Sequence, residues 1–206
     1  MTPAPARAGL LSRLGRFSRD VRGVAVVEFA FVAPILIFFY FGMAETCQLL
    51  MAQRRVSHAA AALADLVAQD TQTTEAELKQ LYEAGCTILQ PFPVRKLRIR
   101  ISSVELDSTK TKKEVVWSRD NERGLLKHPD KTDLTATIET PLAAAGDGVV
   151  LTEVEYDHYS PIGHFLPGAT KISHKAEMRP RRSASVALPP GTPTTAPTGA
   201  VCLGTA

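Results

Sequence analysis

A chain of 206 residues with a formal net charge of +3 has room for one membrane anchor and one small domain, and excludes two large cores. Its mild basic excess is concentrated at the two ends, at Arg7, Arg13, Arg16, Arg19 and Arg22 and again at Arg179, Arg181 and Arg182, with Phe17 the one aromatic within these clusters. That distribution argues against a nucleic-acid partner.

Residues 1–23 read as a basic cytoplasmic leader, with one acid, Asp20, and with Pro3, Pro5, Gly9 and Gly15 working against any core. Residues 24–44, VAVVEFAFVAPILIFFYFGMA, hold Glu28 as their single charge. At about 1.5 Å per residue this run spans roughly 30 Å, the hydrocarbon thickness of a bilayer, and reads as a transmembrane helix. It is too long for the apolar core of a cleaved secretory signal, and no small-x-small site precedes a polar start. The arginine excess before the run, against Arg54 and Arg55 after it, predicts a cytoplasmic N-terminus and an exported remainder. The chain is therefore expected to be a single-pass inner-membrane protein with a periplasmic domain.

Helical spacing continues beyond the apolar run through Leu49, Ala52, Val56, Ala59, Ala60, Leu63, Leu66 and Val67, so one helix is predicted from about Arg22 to Gln69. Thr71–Thr74 interrupts it. Thr74 with Glu77 forms a capping-box pattern that opens a second helix, which ends at Pro91–Pro93. The period then changes to two, with Leu97, Ile99 and Ile101 alternating with Arg98, Arg100 and Ser102. Further strands are predicted at Glu114–Ser118, Leu134–Glu139, Val149–Tyr159 and Lys171–Met178, with a turn at Gly146-Asp147-Gly148. Two helices followed by sequential strands define an α+β fold, with an antiparallel sheet in an extracytoplasmic domain over 45–182. Residues 183–206, rich in Ser, Pro, Thr and Ala, read as a disordered tail.

The cysteines Cys47, Cys86 and Cys202 match no zinc or redox spacing. Cys47, near the outer end of the apolar run, is expected to pack as a free thiol. Cys86 and Cys202 both fall in the exported part, where a bond between them would close a loop of roughly 116 residues, worth about 4–5 kcal/mol in the chain-entropy model. Two unpaired thiols remain the alternative.

The informative segment is Arg22-Gly23-Val24-Ala25-Val26-Val27-Glu28-Phe29. A carboxylate inside a membrane helix costs a few kcal/mol and marks a functional site by default. Cutting after Gly23 would give Val24 a free α-amine one turn from Glu28, able to pair with a carboxylate of the same or a neighbouring chain. It would also remove the arginine-rich tether.

This segment resembles the prepilin leader of type IV pilin-like proteins. The whole anchor is similar to the TadE/TadG family of tight-adherence (Flp) pilus assembly proteins, through Arg22-Gly23, Val27-Glu28-Phe29-Ala30, Val32-Ala33-Pro34 and Phe41-Gly42-Met43-Ala44-Glu45. The resemblance is specific over roughly residues 20–65. It implies cleavage by a prepilin peptidase between Gly23 and Val24, subunit docking through Glu28 and Phe29, and a helix kink at Pro34. It also implies other pilin-like subunits and the Tad machinery as partners, in the membrane or within a pilus. Flp-type leaders usually carry Tyr after the glutamate, where this chain has Phe29, as many TadE-like proteins do.

No chemistry stands out elsewhere. His158, His164 and His174 share no ligand spacing and are expected on the surface, and no metal or cofactor is implied. Glu153 and Glu155 alternate with Val154 as on a solvated strand face, and Ser160 and Ser173 lack a nucleophile-elbow context. An enzyme is not expected. Two readings follow: a minor pilin-like subunit (pseudopilin) or accessory factor that works by lateral helix packing, and an unprocessed single-pass anchored binding module or accessory protein. The mass of the mature chain separates them.

Overall fold

A computed structural model describes residues 23–121, 125, 127–159 and 169–189. Most of the expected leader, most of the expected tail, His164 and Cys202 lie outside the described residues. The chain divides into two compact units, Met1–Ala44 and Glu45–Ala206.

Helix α1, Val24–Ala68, begins in the first unit and ends in the second. Over residues 24–44 it is apolar all round and unpacked, with Val26, Phe29, Phe31 and Phe39 each about two-thirds exposed or more. It is the one described helix long and apolar enough to cross a membrane. The helix runs on through Pro34.

In the second unit α1 becomes one-sided. Ala52, Val56, Ala59, Ala60, Leu63 and Val67 recur three or four residues apart and are buried. The terminal carbonyl of Ala68, which has no partner within the helix, accepts a hydrogen bond from the Arg181 N–H at 2.9 Å. Helix α2, Glu75–Leu89, opens with the capping box read from the sequence. Thr74 Oγ1 accepts from the Glu77 N–H at 3.3 Å, and Glu77 Oε2 accepts from the Thr74 N–H at 2.7 Å. Gly85 lets α2 approach closely, since a Cβ there would lie 2.8 Å from Ile99 Cδ1 and 3.2 Å from Leu63 Cδ1.

A 3-10 turn, Val94–Lys96, leads into the sheet. Its strands are β1 (Leu97–Leu106), β2 (Lys113–Asp120), β3 (Gly148–Tyr159) and β4 (Ala169–Met178), antiparallel in the order β2-β1-β3-β4. Cα partners Leu97 and Tyr156, and Ile99 and Val154, place the inward face of β1 beside that of β3. Leu97, Ile99, Ile101, Val150, Val154, Tyr156 and Ile172 form one core with α1 and α2. The other face carries Val104, Val149 and Leu151, covered by Leu134 and Ile138.

A register shift between Ser103 and Val104 opposes Ser103 to Trp117 and Val104 to Val115. The extra residue of this bulge, Val116, stays exposed, so Trp117 joins the helix-side core and Val115 the opposite one.

Two expectations need correction. Leu134–Glu139 is not a strand. Asp133 makes a single bridge to Glu114, and the chain then turns, with the Thr137 and Ile138 N–H groups donating to the Leu134 carbonyl at 2.9 and 3.0 Å. Leu134 and Ile138 are four residues apart, so a helical turn brings both onto the sheet, whereas a strand would also do so only by aligning Ala136. The tail, expected from residue 183, is bound to the domain at its start. Val186 is fully buried, Ala184 and Ala187 exchange backbone bonds with Gly148, Thr71 and Thr73, and the Trp117 indole donates to the Val186 carbonyl at 2.8 Å.

Candidate functional site: the N-terminal anchor helix

Gly23 forms the turn just before α1, and Val24 is the first helical residue. Four residues on, Glu28 lies one turn inside, about 6 Å along the axis. Glu28 is exposed among exposed Val24, Val27 and Phe31, and it makes no ion pair among the described residues. Phe29 is 67% exposed beside it. Neither packing nor backbone geometry calls for glycine at position 23. A Cβ there meets nothing within 4 Å, and its φ is outside the left-handed region. Gly146 differs, holding φ of +84° in the turn before β3.

The folded unit carries its charges differently. On the sheet face away from the helices, Arg98 and Arg100 stand opposite Glu155 and Glu153. Arg100 pairs with Glu153 at 2.6 Å, Arg98 with Asp157 at 2.7 Å, and Lys171 with Glu155 at 3.0 Å. Burial pushes the Glu153 carboxyl up, but hydrogen bonds from His128 and Arg100 outweigh it and hold the group below the usual range. The glutamates expected on a solvated face are thus half-buried in cross-strand pairs, a geometry that favours structure over acid–base catalysis.

His158 is a further correction. It is 2% exposed, with its ring edge-on to Phe92 at 5.8 Å and tilted to Tyr156 at 6.3 Å. Burial lowers its pKa, and the Glu45 carboxylate partly opposes that shift. The parity of β3 contained this answer: His158 shares the inward register of Val150, Val154 and Tyr156. Among the described residues no three His, Cys, Asp or Glu side chains converge as metal ligands. Cys86 is disulfide-bonded. Cys47 is free and exposed, not packed.

An unpacked apolar helix of membrane-crossing length, one such helix among the described residues, leads into an α+β unit, which is the arrangement of a membrane-anchored protein. Residues 23–65 match the family model described as TadE-like protein, the family whose pattern the anchor resembles. The match begins at Gly23 and covers α1 almost to its end. It supports a role connected with Tad pili in general, and the membrane-length helix supports association with a membrane. No curated protein and no solved structure matches the chain.

Proposed function

We propose that this chain is a minor pilin-like subunit, or an accessory factor, in the assembly of tight-adherence (Flp, type IVb) pili. Its role is non-enzymatic. The anchor sits in the inner membrane with its N-terminus in the cytoplasm, and the α+β unit faces the periplasm. A prepilin peptidase cuts between Gly23 and Val24, and Glu28 with Phe29 then docks α1 against neighbouring pilin-like subunits.

The observation that carries this reading is a lone, exposed carboxylate one turn inside an unpacked apolar helix, behind a glycine that no packing demands. An ammonium about 4 Å from a carboxylate attracts it by roughly 4 kcal/mol at an effective dielectric near 20, before desolvation is subtracted. That is the same order as the cost of holding an acid in lipid. A freed Val24 amine therefore offsets the acid, within one chain or between two.

Intact-mass analysis of the protein from the native membrane tests the cut. The expected mature chain starts at Val24, and Gly23→Ala keeps its leader. Glu28→Ala is expected to be cut normally but to reduce piliation at least tenfold. A full-length mature chain would favour the unprocessed anchored accessory, and normal piliation with Glu28→Ala would remove the docking role.

A further inference from the structure

One end of the folded unit gathers exposed cations and an exposed aromatic. Helix α1 enters the unit at Glu45, which is buried there and electrostatically coupled to His158 at the end of β3. Phe92 packs on His158, and Leu49 and Phe92 both pack against the same core. The segment Pro91–Lys96 and Tyr159 therefore lie at the end where the chain enters. The turn is fixed, since Val94 and Leu97 are buried on either side of its cations and the Phe92 N–H donates to the Leu89 carbonyl at 3.1 Å.

Arg95 and Lys96 are exposed and make no ion pair among the described residues, and Tyr159 is 56% exposed. From this end β1 runs away for ten residues, about 33 Å, to the turn that holds Lys110. Tyrosine with exposed cations is the composition of a membrane–water interface.

We propose that this end of the α+β unit rests on the anionic headgroups of the bilayer that its helix enters, with Arg95 and Lys96 against lipid phosphates and Tyr159 at the interface. The proposal rests on the reading that residues 24–44 cross the membrane. Connectivity then keeps the Glu45 end at the surface, and the two exposed cations, which make no ion pair among the described residues, are complementary to anionic phospholipid. The Lys110 end stands clear.

The test uses the full chain with Cys47→Ser, carrying a fluorophore on Pro93→Cys, Lys110→Cys or Leu36→Cys. Each variant is placed in nanodiscs of phosphatidylcholine with or without phosphatidylglycerol. Nitroxide on the headgroups reads the first two labels, and nitroxide on the acyl chains reads the third. With phosphatidylglycerol, the Pro93 label is expected to be quenched severalfold more than the Lys110 label. Arg95→Glu with Lys96→Glu should abolish that excess, because each cation near an anionic surface favours contact by roughly fivefold. Equal quenching of the two labels overturns the proposal while the Leu36 label is still quenched by acyl chains. An excess that is unchanged in pure phosphatidylcholine overturns the anionic-headgroup assignment. A Leu36 label that escapes quenching overturns the anchor itself, and so separates the two failures.

Discussion

Asn121 closes the start of β1 with its side chain. It is 5% exposed, its Oδ1 accepts from the Ile99 N–H at 3.0 Å, and its Nδ2 donates to the Leu97 carbonyl at 3.0 Å. Asn121→Ala leaves two backbone groups of a buried strand without these partners. At about 1–3 kcal/mol for each unsatisfied group, the expected loss is about 2–6 kcal/mol, a large share of the 5–15 kcal/mol that holds a typical domain. Trp117 is the chain's single tryptophan and is buried, so its fluorescence during urea unfolding of the detergent-solubilised protein reports the loss. Asn121→Asp supplies a signed control. Its carboxylate keeps the Ile99 bond but faces the Leu97 carbonyl, so it should destabilise at neutral pH. Part of that stability should return near pH 4, measured against the wild type at the same pH, when the protonated acid can donate again. An Asn121→Ala variant within about 0.5 kcal/mol of wild type would refute the accounting.

Other outcomes follow from the same structure. Because burial lowers the pKa of His158, the unfolded chain binds its proton at higher pH than the folded one. This stability is full above about pH 6.5 and is lost as pH falls toward the folded pKa; urea midpoints of His158→Phe should show a weaker decline than wild type over that window. A chain ending at Arg182 loses the Val186 acceptor of Trp117 and should be about 2–4 kcal/mol less stable than one ending at Pro189, with red-shifted tryptophan emission. Equal midpoints for those two truncations would return residues 183–189 to the tail.

Periodic segments were readable because their signal is local. The one-sided spacing of α1 from Ala52 to Val67, the Thr74–Glu77 cap of α2, and the alternation in β1 and β3 each lie within one stretch of chain. What escaped depends on a partner elsewhere. The bulge at Val116 exists only against β1, so sequence inspection could not assign Trp117 and Val115 to opposite cores. The stretch Ser183–Leu188 has loop composition, yet its backbone groups find Gly148, Thr71 and Thr73, distant in sequence. Leu134–Glu139 misled through its threonines, whose β-branched propensity yields to a turn capped by the Asp133 carboxylate, which accepts from the Thr135 N–H at 2.9 Å. His158 follows strand parity in spite of its polarity, on the inward face of β3 with Val150, Val154 and Tyr156.

Two acids on α1, Glu45 and Glu28, meet different surroundings. Glu45 is 2% exposed, inside the folded unit, with the His158 ring within electrostatic reach. Glu28 has only exposed apolar neighbours, and its fold offers no ion pair among the described residues. In the proposed reading its compensation arrives from the helix terminus or from another molecule. The position is then as informative as the residue type. One turn from Val24, a carboxylate is within reach of an amine created by cleavage after Gly23. Two turns deeper, near Val32, the same acid would lie about 12 Å from it along the helix and carry the insertion cost without the offset.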